Sequence, residues 1–170
     1  MTPQDPKLRL VIAVLDGKDA LWPTLRLLAE KGIDSQQIGL IALAATVARL
    51  AGNGSPPAGS AGLLDGLEVL SVATAAGSVV ASPCLVHLWR TGIRLPALWE
   101  NHAGQHLVPR LASDIESWVA RGFAVIAVAP MTPEQQWATT RVLLAFSSGP
   151  VETLEYSLTA EARAAWPSGA

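Results

Sequence analysis

The run Val11-Ile12-Ala13-Val14 recurs as Val125-Ile126-Ala127-Val128. An internal repeat limits the architectures open to a chain more sharply than composition does, because each copy must form the same unit. The match continues beyond the apolar run: Trp22, Thr24, Arg26 and Leu28 correspond to Trp137, Thr139, Arg141 and Leu143, with one position of slippage between the two alignments. Each copy holds a β-branched run, a turn, an amphipathic segment and a second β-like run. That is a βαβ unit written twice.

In the first unit, residues 8–43, the strand ends near Asp16-Gly17. Leu21, Leu25, Leu28 and Ala29 then recur at one-face helical spacing, and Lys31-Gly32 is a helix stop. In the second unit, residues 123–158, Thr132 is placed to cap a helix, Pro133 suits its first position and Gln135 completes a capping box. Ala138, Val142, Ala145 and Phe146 make its expected buried stripe. Leu154, Tyr156 and Leu158 alternate with Thr153, Glu155 and Ser157, the pattern of a half-buried strand. Its counterpart, Ile38 to Leu43, is continuously apolar and suits a more deeply buried strand.

Two such units predict an α+β domain of the ferredoxin-like kind, a four-stranded antiparallel sheet with helices on one face. A doubly wound sheet would need more strands and a Gly-rich phosphate turn. Between the units, residues 51–122 form a large insertion. It opens with the linker AGNGSPPAGSAG and continues as a stretch expected to be helical, broken at Ser82-Pro83. A further helix is expected from Pro109, with Leu111, Ile115, Trp118 and Val119 on one side and Gly122 as its stop. Residues 159–170, rich in alanine, read as a frayed tail.

Only 15% of the 170 residues are charged, below the roughly 25% usual for soluble domains. So low a share implies a surface partly covered by something, and a homodimer or a protein partner is the expectation. A formal charge of −2 leaves no electrostatic footprint for nucleic acid. The single Cys84 allows no internal disulfide, and the first apolar run, closed by Asp16, is too short for a signal peptide. A cytoplasmic location is therefore expected. The uncharged run from Val69 to Trp89 approaches membrane-spanning length, but Ser71, Thr74, Gly77, Ser78, Ser82 and Pro83 make it only mildly apolar. Burial against the sheet or in a dimer is favoured over peripheral membrane contact.

The order of elements resembles a bacterial family of small general-stress-protein-like domains. The residues that carry the resemblance are VIAVLDGKDALWPTLRLLAEKGIDSQQIGLIAL at Val11 to Leu43 and LVPRLASDIESWVARGFAVIAV at Leu107 to Val128. The middle departs from that family, with Gly62, Gly66 and Gly77 thinly spaced where dense glycine repeats are common. The resemblance implies a fold and a stress-associated or accessory role, with no catalytic residues to carry over.

Candidate chemistry concentrates in WENHAGQHLVP. His102 and His106, four residues apart, would face a divalent metal from one helical turn, with Glu100 or His87 as a third ligand. Ala103 stands where the metalloprotease motif needs a general-base Glu, and Gly104 costs a helix about 1 kcal/mol. Histidines at a helix end are the plainer reading. His87, Arg90, Arg94 and Trp99 form a candidate ligand-binding set. Cys84, among apolar neighbours, reads as a buried, inert thiol. The turn LDGKDA offers Lys18 at a helix start but lacks the glycines and Ser/Thr of a P-loop.

No general base or complete ligand set emerges, and no cofactor is called for. The expected function is that of a non-enzymatic accessory protein acting through self-association or partner binding by its insertion. The alternative is a ligand- or metal-binding regulatory module using the histidines.

Overall fold

The structure, a computed structural model, describes residues 7–52, 63–64, 66–74, 77–85, 114 and 117–157. In chain order these give β1 (Lys7–Leu15), α1 (Gly17–Glu30), a 3-10 turn (Ser35–Gln37), β2 (Ile38–Leu43), α2 (Ala44–Gly52), β3 (Glu68–Thr74) and β4 (Gly77–Ala81). They continue with β5 (Ala124–Val128), α3 (Pro133–Phe146) and β6 (Glu152–Ser157). The fold is α+β, built on an open antiparallel sheet in the order β3-β4-β2-β5-β1-β6.

The two repeat units interlock in this sheet. β1 and β2 each pair antiparallel with β5, and β5 and β6 each flank β1, so each unit's strands are split by the first strand of the other. At the centre Val11 faces Val128 and Val14 faces Val125. The burial pattern resolves the slippage in the repeat. Thr24 and Thr139 are both fully buried, as are Leu28 and Leu143, so the helices are in true register. Carried back into the strands, that spacing matches Val11 with Ile126 and Ala13 with Val128, all four on the helix-covered face. The literal VIAV match is one residue out, and a one-residue shift in a strand exchanges faces.

Both faces of the central strands are covered. Val11, Ala13, Leu15, Leu40 and Ile126 pack under Leu21, Leu25 and Leu28 of α1 and Val142 and Leu143 of α3. On the other face Leu10, Ile12, Val14, Ile41 and Val125 pack with Leu85 and Val119, with Trp118 and Phe123 against them. Every residue of β2 and β5 is buried, which explains why both read as unbroken apolar runs rather than alternating ones.

Two expectations need correction. The sheet has six strands rather than four, and within the insertion Glu68–Thr74 and Gly77–Ala81 are strands rather than helix. β3 and β4 form a hairpin whose inner strand pairs Val79 with Leu43 and Ala81 with Ile41. The edge of β2 would otherwise leave backbone N–H and C=O groups of a buried strand without partners. Val79 and Val80 suit a strand, and Gly77, its first residue, sits at φ +127°, a conformation that favours glycine.

Ser82 prolongs this pairing beyond β4: its N–H donates to Leu40 O at 2.9 Å and its Oγ accepts from Leu40 N at 2.8 Å. Ser147 plays the same part beside β1, accepting from Val14 N at 3.3 Å. Residues 117–120 are helical and end at Gly122, at φ +90°, where a stop was expected. Thr46 of α2 donates to the Gly122 carbonyl at 3.1 Å, tying the second face to the helical side. The linker from residue 53, the segment from Pro109 to Leu111, Ile115 and the tail 159–170 lie outside the described residues. Among the described residues, no helix is long and apolar enough to cross a membrane.

Candidate functional site

All the residues proposed from sequence for ligand or metal binding, His87, Arg90, Arg94, Trp99, Glu100, His102 and His106, lie outside the described residues. Among the described residues, no group of three or more His, Cys, Asp or Glu side chains is placed to hold a metal. Cys84 is described. It packs against the second core, its Sγ 4.0 Å from Ile38 O, and burial pushes its thiol up to about 11. A thiol so held stays protonated at neutral pH and is a poor nucleophile.

The feature that stands out is the outer face of α3. Its placement begins with a pair of glutamines. Gln37 is buried at the end of the 3-10 turn; its Nε2 donates to Ala129 O at 2.9 Å and its Oε1 accepts from Asp34 N at 2.9 Å. Gln37 Nε2 also reaches Gln135 Oε1 at 3.3 Å. Gln135 donates in turn to Gly32 O at 3.0 Å and accepts from Met131 N at 2.8 Å. This amide chain fastens the loop before β2 to the start of α3.

Thr132 caps the helix as expected, accepting from Gln135 N at 3.1 Å. The return arm of the expected box differs, since the Gln135 side chain serves Met131 and Gly32 instead. The reciprocal box occurs at Asp34 and Gln37.

Of the expected stripe Ala138, Val142, Ala145 and Phe146, Val142 is buried and Phe146 packs against the core, while Thr139 and Leu143 complete the buried side of α3. Ala145 is exposed, and Ala138 and Phe146 are half-buried. Turned this way, the helix points Trp137 and Leu144 outward, 66% and 62% exposed. Met131, at the helix entrance, is 48% exposed. These are the exposed large apolar side chains among the described residues; Trp137 and Leu144 lie seven residues apart on one face of α3 and Met131 precedes its cap. Isolated apolar residues on a surface need no explanation, but a cluster rimmed by charge marks an interaction site.

The charges are in place. The Arg141 guanidinium lies 4.7 Å from the centre of the Trp137 ring, a cation–π contact. Glu134 lies on the same face one turn before Trp137; its own backbone amide and the Thr132 hydroxyl hold its carboxyl below the ordinary value.

No family model, curated protein or solved structure matches the chain. The site therefore rests on this geometry. A helical tryptophan is ordinarily accounted for by core packing, and Trp137 departs from that. The repeat gave no signal of it, because its counterpart Trp22 packs against the core. The corresponding face of α1 carries a half-buried Trp22 and the small Ala29. Among the described residues, the exposed large apolar groups lie on α3 and at its entrance.

Proposed function

We propose that this chain is a non-enzymatic accessory protein, stress-associated as the family resemblance implies, that works by associating with another protein surface. The observation that carries this reading is the outward Trp137–Arg141–Leu144 face of α3. Trp and Arg are the residues most enriched at energetic centres of protein interfaces, where water is excluded around them. The surface at work is this helix rather than the insertion first suggested by composition. A cytoplasmic location goes with the reading.

The same reading takes the two βαβ units as a ferredoxin-like duplication. The interleaved order β2-β5-β1-β6 and the shared burial of Thr24 with Thr139 and Leu28 with Leu143 support it. The hairpin β3-β4 then extends an edge of that unit.

A photo-crosslinking residue placed at Ala145, exposed beside Leu144, tests the association in cells expressing the full chain. A discrete adduct is expected on irradiation. Uniformly unmodified protein would overturn the reading.

A further inference from the structure

We propose that the occupant of the α3 face is a second copy of the chain, packed antiparallel about a twofold axis at Trp137 and Ala138. This rests on the association reading above and names its partner. The stripe Glu134, Trp137, Arg141, Leu144 advances by three, four and three residues, the spacing that keeps one seam facing a nearly antiparallel helix.

The stripe is its own complement. Glu134 and Arg141 lie at equal distances on either side of the axis, with opposite charges, so each Glu134 meets the partner's Arg141. Leu144, two turns beyond Trp137, then reaches the entrance of the partner's α3, where Met131 is exposed. At the centre Trp137 meets the partner's Trp137, with the smaller Ala138 allowing close approach. One twofold operation therefore covers all three exposed apolar groups and pairs both charges, the self-complementarity an isologous interface requires.

Arg141 is already held at the seam, its guanidinium 4.7 Å from the Trp137 ring centre, and the guanidinium fork is the group suited to bind a carboxylate. The Met131 backbone is fixed to the first turn of α3 through Gln135, so its side chain starts from a set position.

Charge exchange tests this. Sedimentation equilibrium of the untagged full chain is expected to show a wild-type dimer. Glu134→Arg alone and Arg141→Glu alone are each expected to weaken it at least tenfold, because each sets like charges against each other at both ends of the seam. An equal mixture of the two variants is expected to recover the dimer, since every facing pair is then opposite in charge. The double variant, Glu134→Arg with Arg141→Glu, is expected to dimerise as well. Recovery also excludes misfolding as the cause of the single-variant losses.

A wild-type chain that stays monomeric, single variants that dimerise as wild type does, or a mixture that stays monomeric would each overturn the proposal. The adduct at Ala145 separates the two levels. An adduct with a different protein removes the second copy and keeps the association reading, whereas no adduct removes both.

Discussion

Thr24 and Thr139 occupy equivalent, fully buried places on α1 and α3, yet their hydroxyls differ: Thr24 Oγ1 donates to Ala20 O at 2.6 Å, while Thr139 Oγ1 is buried without a partner. A buried hydroxyl left unpaired costs about 1–3 kcal/mol, and an apolar group of the same shape removes that cost. Thr139→Val is therefore expected to raise stability by about 1 kcal/mol. Thr24→Val should leave it unchanged or lower it. Urea titrations of the two variants make the comparison, and equal losses in both would contradict it.

Gly39 sits on the buried strand β2 directly under Leu85. A Cβ at that position would lie 2.7 Å from Leu85 Cγ and Cδ1. Gly39→Ala is expected to cost about 1–3 kcal/mol through overpacking. Because the strain is shared with one side chain, Gly39→Ala combined with Leu85→Ala should cost measurably less than the sum of the single changes. Strict additivity would show that Leu85 is not the obstacle.

The glutamine chain makes an ordered prediction. Gln37→Ala deprives both Asp34 N–H and the buried Ala129 carbonyl of a partner and should cost about 2–3 kcal/mol. Gln135→Ala, where water has better access, should cost about 1 kcal/mol. Chemical denaturation would rank them; a larger loss at Gln135 would mean that the load lies at Met131 and Gly32 instead.

Cys84 is expected to resist thiol reagents at pH 8 in the folded chain and to react on unfolding. Its folded value of about 11 lies above the ordinary 9.0 because burial disfavours the thiolate, an effect that backbone hydrogen bonds at Leu85 and Cys84 only partly offset. The sign follows directly. The neutral thiol's contribution is intact below pH 9 and is lost as pH rises toward 11, because the unfolded chain ionises first. Cys84→Ala should flatten that part of the stability curve, which alkaline denaturation would measure.

The repeat made the interlocked strands and the two sheet-covering helices legible, since apolar runs and helix stops report local conformation. The hairpin was not legible. Its run of small and apolar residues suits a strand or a helix equally, and pairing with the edge of β2 decides between them. The orientation of α3 was misread because Thr139, a polar residue, belongs to the core while Trp137 and Leu144 do not. Apolarity places residues by majority, and an interaction face breaks that rule. The Asp34–Gln37 capping box is written as a D-x-x-Q pattern, but a three-residue turn is too short to show a periodicity.

Sedimentation velocity of the untagged full chain beside Trp137→Glu, over a wide concentration series, tests the central claim most directly. The wild-type coefficient is expected to rise with concentration while the variant, with unchanged circular dichroism, stays at the monomer value. Two chains that sediment alike at every concentration would contradict the claim.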